Sequence, residues 1–492
     1  MKIKLIAPGN RISNFWDMKT AARLINKKYG GAPLALPTIA AFTPKDIQIN
    51  IVDENIEPIS FSEQVDLVGV TFNTPLAIRA YEIATEFKNR GVTVIAGGMH
   101  ASALPEEALK YVDSVVIGEA ENIWLDILND FKCGELKKIY TSEIKPDLQE
   151  CFIPRWDLTK YKYYNYFTVQ TSRGCPFNCE FCSVKVFFGD KIRFKPIDNI
   201  INEIKFLQSL DPYKQFIFAD DNITANFSRA KQLFEALIPL KIRSWWGQAP
   251  ISIYKDKELL DLMYKSGCRQ LLIGLESITQ KNLELMDKDK INKIDEYCIA
   301  LRKIYDAGIA VSAGFILGND FDDEKVFKKI YDFVMDIPIA LPQLTILTPL
   351  PGTRLYNRLE QENRIFDRNW SNYNFDKVCF KPKGMSSDYL QNGYYWLIQK
   401  LYSYVALYKR LDALWNKGVL VRDRNKKAKM FTRGRIFLTF KILLFSLDIP
   451  RIIFAMRTLW HKKCTSITSF LMSLSIHDYA YNLPRHKPNK IM

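Results

Sequence analysis

The chain has 492 residues, 48% of them hydrophobic and 25% charged, with a formal charge of +15. That length exceeds one ordinary domain, with a soft prior of about three, and the composition excludes a disordered or fibrous chain. Nine cysteines, three of them inside one eight-residue window, are metal usage rather than a disulfide framework and point to a reducing compartment.

The first residues, M-K-I-K-L-I-A-P-G-N, hold an apolar run too short and too quickly broken for a signal peptide. They read as a first strand, and a cytoplasmic location is expected. Further strands are predicted at Ile47–Val52, Leu67–Phe72, Val92–Ala96 and Val112–Ile117, with helices at Pro75–Arg90 and Pro105–Lys110. Apolar, non-alternating strands separated by helices indicate a doubly wound parallel sheet with helices on both faces. Ligands on such sheets bind beyond the carboxyl ends of the strands. Those ends carry Pro8-Gly9-Asn10, Asn73-Thr74, Gly97-Gly98-Met99-His100 and Gly118-Glu119-Ala120-Glu121. A connection follows over 141–165, rich in Pro and then in aromatics, and so many aromatics are expected to pack rather than face water.

Phe167–Gln170 is a predicted strand that delivers the chain into T-S-R-G-C-P-F-N-C-E-F-C, with Cys175, Cys179 and Cys182 spaced C-x3-C-x2-C. Three thiolates this close can hold one soft metal centre, yet three is one short of the four that close a zinc site or an ordinary iron–sulfur cluster. A cluster on three cysteines leaves one iron open. The competing readings are a fragment of a zinc site or three unrelated buried cysteines. After the loop, strands at Phe216–Ala219, Arg243–Gln248, Gln270–Ile273, Ala310–Phe315 and Gln343–Thr348 alternate with helices at Ile197–Leu210, Ser228–Leu237, Asp256–Ser266, Lys293–Ala307 and Asp322–Met335. Chemistry on (β/α) barrels sits on the loops that follow the strands.

With these motifs the chain resembles the radical S-adenosylmethionine (SAM) enzymes. The stretches G-G-M-H-A-S-A-L-P-E-E-A-L and V-V-I-G-E-A-E resemble the cobalamin-binding domain of that family's cobalamin-dependent members. The resemblance implies a cobalamin-binding Rossmann-like domain over 1–140, a linker over 141–165 and a partial (β/α)6 barrel over 166–360. A basic, mainly helical domain would occupy 361–492. It implies a 4Fe–4S cluster on Cys175, Cys179 and Cys182 with SAM on the fourth iron, and Arg173 and Gly174 shaping the start of the loop.

Phe181 would pack near the adenine, or serve as a core aromatic. Asp220 and Asp221 would stand near SAM or substrate, or cap the helix ahead of Ser228, with Asp221 the proposed catalytic member. Glu276, in G-L-E-S, would reach the SAM ribose or amine. Ser312, Gly314 and Gly318 would let backbone approach the adenine. Asn73, Thr74, Gly97, Gly98, His100, Gly118 and Glu119 would border cobalamin. No D-x-H-x-x-G motif is present, so two readings stand: cobalamin bound without a histidine ligand, or a domain that keeps the fold and binds none. His100 is read as a loop histidine hydrogen-bonded near the ligand edge rather than a ligand of cobalt.

The implied reaction is reductive cleavage of SAM to methionine and a 5′-deoxyadenosyl radical, which takes hydrogen from an unactivated carbon. In the cobalamin branch a methyl group carried by cobalamin then goes to the substrate. Cyclisation, rearrangement or methylthiolation with the same parts is the alternative enzymatic outcome, and a non-enzymatic cobalamin- or metal-responsive binding protein the non-enzymatic one. A flavodoxin or ferredoxin is the expected electron donor.

From Lys409 to Lys463 there are fifteen Lys and Arg against three Asp, a net of +12, so most of the charge lies in one segment. The stretch L-T-I-L-T-P-L-P-G-T-R-L-Y-N-R-L resembles the region leading into the helical extension of hopanoid-methylase-like members, which implies a lipid or other apolar substrate. Arg435–Leu447 is apolar but short of the ~20 residues that span a bilayer. Two readings fit it: a helix lying in the inner membrane surface, or a buried helix of an all-α cap. Nucleic-acid binding is not expected, since no known module is recognisable there, and a monomer is expected.

Overall fold

The computed structural model describes residues 1–10, 22, 25–150, 152–419, 452–453, 456, 477–480 and 483–484. In chain order its strands are β1 (Lys2–Ala7), β2 (Tyr29–Gly31), β3 (Gln48–Asp53), β4 (Leu67–Thr71), β5 (Thr93–Gly97), β6 (Ser114–Ile117), β7 (Ile139–Thr141) and β8 (Tyr164–Val169). They continue as β9 (Ser172–Arg173), β10 (Arg193–Phe194), β11 (Gln215–Phe218), β12 (Trp245–Gln248), β13 (Cys268–Glu276), β14 (Ala310–Leu317) and β15 (Gln343–Ile346).

The apolar runs of the first third form one parallel sheet in the order β3-β1-β4-β5-β6-β7. Val68, Val94 and Val115 are fully buried, because helices cover both faces of such a sheet. Helix Ala77–Asn89 supplies one cover with Ala77, Ala80, Tyr81, Ile83, Ala84 and Phe87 turned inward, the i, i+3, i+4 stripe of an amphipathic helix. The chain leaves β1 toward β3 on one side and returns to β4 on the other. That reversal opens a crevice at the strands' carboxyl ends. The edge strand β7 and helix Trp124–Cys133 complete this layer beyond the five expected strands.

The second sheet is parallel throughout, in the order β15-β14-β13-β12-β11-β8-β2. Six of its strands are the expected ones, arranged in sequence order, and β15 and β2 remain as open edges of a curled half-barrel. The seventh, β2, comes from the first third of the chain and pairs with β8. Its sequence, Y-G-G, is too short and glycine-rich to read as a strand. The glycine is required by close approach: a Cβ on Gly31 would lie 2.3 Å from the Tyr166 ring.

The C-terminal region also crosses the expected divisions. Trp370, Tyr373 and Cys379 pack in the core of the first sheet. Helices Ser387–Leu401 and Tyr404–Asn416 then pack on the barrel core through Tyr394, Ile398, Leu407 and Leu411. Each begins at a serine, Ser386 or Ser403, whose hydroxyl accepts from the backbone N–H three residues on. No helix among the described residues is long and apolar enough to cross a membrane. Arg435–Leu447 and most of the basic segment lie outside the described residues.

Candidate functional site

The cysteine loop is held at both ends. At its start, Asp220 is fully buried just beyond β11 and accepts from Thr171 N (3.0 Å), Thr171 Oγ1 (2.7 Å) and Ser172 Oγ (2.5 Å). Asp220 therefore anchors the T-S of T-S-R-G-C. The helix ahead of Ser228 is capped by Asn226, whose side chain accepts from Arg229 N, so neither aspartate serves as its cap. On the outer side, Arg358 grips Glu180 through Nε (2.6 Å) and Nη2 (3.0 Å) and reaches Asp320 at 2.8 Å. Leu355 N donates to Glu180 O at 3.0 Å. The helix Arg354–Gln361 after P-L-P-G-T thus braces the loop, a role the sequence did not reveal.

Cys175, Cys179 and Cys182 line one cavity of about 410 Å³. Burial raises all three thiols, Cys182 to about 12, so a bound metal must hold them as thiolates. Among the described residues no three His, Cys, Asp or Glu side chains form a single-ion shell. A 4Fe–4S cluster takes each thiolate on a different iron, and three cysteines on one cavity can supply three such ligands.

Across the same cavity stands Glu276, held at φ +64° at the end of β13, with Oε1 3.2 Å from Lys288 Nζ. A Cβ on Gly274 would meet Glu276 Oε1 at 2.1 Å, which accounts for the glycine of G-L-E-S. Phe181 and Gly314 also line this cavity. Ser312 and Gly318 do not: Ser312 Oγ donates to Leu341 O at 2.9 Å, and Gly318 N donates to Asp322 Oδ2 at 3.0 Å. Lys288 and Phe375 join the lining without any sequence motif to mark them. Phe375 has φ +70°, a conformation rare for a bulky residue, and its carbonyl accepts from Ile346 N at 2.8 Å.

A second cavity, about 600 Å³, opens at the carboxyl ends of the first sheet and is lined there by Asn73, Gly97, Gly98, Gly118 and Glu119. Gly98 has φ +97°, and a Cβ there would lie 2.6 Å from Phe72 O. A Cβ on Gly97 would meet nothing within 4 Å, so bare backbone faces open space, as a cradle for a large flat ligand requires. Thr74 and His100 lie outside this lining. His100 is buried in the core, with Nδ1 3.2 Å from Thr74 Oγ1, Nε2 3.3 Å from Glu107 Oε1, and Trp370 against its ring. The helix that starts at Met99 turns it inward.

Arg173 closes the far wall of this cavity. Its Nη1 reaches Glu119 Oε2 (2.6 Å) and Glu121 Oε1 (2.5 Å), while Nε donates to Gln170 Oε1 (2.8 Å). Arg193 adds a second bond to Glu119 at 2.6 Å. Two motifs separated by fifty residues, G-E-A-E and T-S-R-G-C, are thus one ion-pair network.

Asp221 is the one described residue that lines both cavities. Its Oδ2 is buried without a hydrogen-bond partner. Burial, and then the charge of Asp220, raise its carboxyl to about 7, as befits a carboxylate with no cation beside it.

Residues 24–128 match the B12 binding domain, 169–334 the radical SAM superfamily and 353–461 a domain of unknown function, DUF4070. The chain is 32% identical over 358 residues to the bacteriochlorophyllide d C-8(2)-methyltransferase of Chlorobaculum tepidum, covering 69% of this chain and 79% of that protein. It is 30% identical over 391 residues to the C-12(1)-methyltransferase of the same organism, covering 77% and 84%. To the hopanoid C-2 methylase of Rhodopseudomonas palustris it is 27% identical, covering 70% and 67%. Among solved structures, the cobalamin-dependent SAM radical enzyme OxsB with aqua-cobalamin and SAM shares the fold, with a TM-score of 0.62 and 15% identity over 100% of this chain and 82% of that one. The SAM methyltransferase TsrM of Kitasatospora setae, with cobalamin and a [4Fe-4S] cluster, gives 0.59 at 17% identity, covering 73% and 78%.

Proposed function

Since the chain belongs to the B12-binding radical SAM family and is a cobalamin-dependent radical SAM methyltransferase, we propose that it places a methyl group on an unactivated carbon of an apolar, lipid-like small molecule. The observation that carries this reading is the meeting of two cavities at Asp221, one on the cysteine loop and one on the first sheet. A carbon at that junction is within reach of both. The named relatives act on a bacteriochlorophyllide and a hopanoid, large and mostly apolar molecules, and this supports the substrate class.

When bound, the cluster supplies the electron that cleaves SAM, and cobalamin supplies the methyl group. The chain's own residues hold and orient these parts. Cys175, Cys179 and Cys182 would bind three irons. Glu276, paired with Lys288 at 3.2 Å, would accept from the amine or ribose hydroxyls of SAM, and Lys288 would face its carboxylate. Phe181 and Gly314 would flank its adenosyl part. Gly97, Gly98, Gly118 and Asn73 would border the corrin, with Glu119 fixing the wall through Arg173. An external one-electron donor of the flavodoxin or ferredoxin kind would reduce the cluster.

Anaerobic reconstitution tests the reading. About four irons per chain, with a spectrum that changes on adding SAM, are expected. Cobalamin should bind with micromolar or tighter affinity. A tightly held single zinc, or no cobalamin on titration, would overturn it.

A further inference from the structure

We propose that Asp221 is the counter-ion of the SAM sulfonium, and that through it the site distinguishes this cation from its neutral by-product, S-adenosylhomocysteine. The inference rests on the reading that the cluster-side cavity takes SAM.

The ionisable groups among the described lining residues of that cavity are three thiols, Asp221, Glu276 and Lys288. Lys288 is engaged by Glu276. Asp220, behind the wall, is satisfied by Thr171 and Ser172. Asp221 is left with a buried Oδ2 that nothing satisfies, a state that costs free energy until a donor or cation arrives. Thiolates on a cluster add negative charge to the same walls. With Asp221 ionised, the cavity is one cation short.

SAM on the open iron ligates it through a neutral amine and the carboxylate, so its one remaining cation is the sulfonium, a permanent charge that no deprotonation removes. Glu276 can accept from the amine and Lys288 can face the carboxylate, which leaves the sulfonium for Asp221. The position of Asp221 in both linings adds a second point. A sulfonium beside that carboxylate borders both cavities. When the methyl leaves for the cobalt nucleophile that bound cobalamin supplies, sulfur keeps both electrons of the broken S–C bond and becomes a neutral thioether. Its attraction to Asp221 ends there, which favours exchange of the by-product for fresh SAM.

The test measures binding, not turnover. Reconstituted, unreduced holoenzyme is dialysed to equilibrium against SAM or S-adenosylhomocysteine, with iron and cobalamin content checked for each variant. Wild type should bind SAM the more tightly. Asp221→Asn should weaken SAM by about tenfold and leave S-adenosylhomocysteine unchanged, while Asp221→Glu, which keeps the charge, should retain the preference. Equal affinity of wild type for the two ligands, or a parallel loss of both in Asp221→Asn, overturns the assignment. Wild type that binds neither overturns instead the reading of the cavity as a SAM site.

Discussion

Arg173, two residues before the first cysteine of the cluster loop, places its Nη1 2.6 Å from Oε2 of Glu119 at the end of β6. Both side chains are almost fully buried, so this bond welds the barrel's cysteine loop to the ligand edge of the first sheet. Glu121 and Arg193 close the network with two negative and two positive groups.

Breaking one partner of a buried ion pair leaves an uncompensated charge, a cost of about 3–5 kcal/mol. Arg173→Ala should therefore lower stability by that amount in urea denaturation, because it takes the paired cation from Glu121 and leaves Glu119 with Arg193 alone. Arg173→Lys should recover only part, since an ammonium cannot reproduce the guanidinium's planar fork.

Cys179→Ala should abolish iron uptake and 5′-deoxyadenosine formation while the far-ultraviolet circular dichroism stays that of wild type. The loop is anchored by Asp220 and Arg358 rather than by the metal. SAM cleavage that persisted in this variant would show the cysteine assignment to be wrong.

Gly97 and Gly98 should respond differently to alanine. At Gly98 a Cβ would collide with Phe72 O at 2.6 Å, at φ +97°, so Gly98→Ala should cost about 1–3 kcal/mol of stability. At Gly97 a Cβ would meet nothing within 4 Å, so Gly97→Ala should fold normally and weaken cobalamin binding alone. Titration of cobalamin against both variants, with their thermal midpoints, separates the two effects.

His100→Ala should leave the absorption spectrum of bound cobalamin unchanged. The ring is committed to Thr74 and Glu107 inside the core, and its loss should appear instead as about 1–3 kcal/mol of lost stability.

Glu63 carries a pH dependence away from the site. Hydrogen bonds from Lys2, then Lys4, hold its carboxyl down at about 2, with Nζ contacts of 2.6 and 2.8 Å. The folded value lies below the ordinary one of 4.5, so the unfolded chain binds more protons in between. Stability is then fully present above about pH 4.5 and is lost as pH falls toward 2. Solvent screening limits the effect to about 1 kcal/mol. Glu63→Gln should flatten acid unfolding in that window.

Much of this architecture is legible in local pattern. The apolar runs at Leu67–Phe72 and Gln343–Thr348 become strands within a residue or two of the expected bounds, because burial on both faces demands continuous apolar sequence. The C-x3-C-x2-C loop is equally plain, since its chemistry is fixed by residue type and short spacing. What lay hidden depends on distant partners. Tyr29–Gly31 is a strand only because Tyr166 lies alongside it. Lys288 sits in the polar run D-K-D-K and gains meaning only from Glu276.

The sequence by itself determined the layers, the cysteine loop and the glycine-rich strand ends, all properties of residues close together in the chain. Tertiary structure alone decided which of the neighbouring side chains would meet a ligand. Asp220 and Asp221 are adjacent and chemically identical, yet one spends its oxygens on Thr171 and Ser172 and the other keeps one unpaired between two cavities. His100 and Gly98 are two residues apart, yet one faces the core and the other the cavity. Buried polar atoms take whatever donors the fold brings to them, and those donors come from segments that local sequence cannot see.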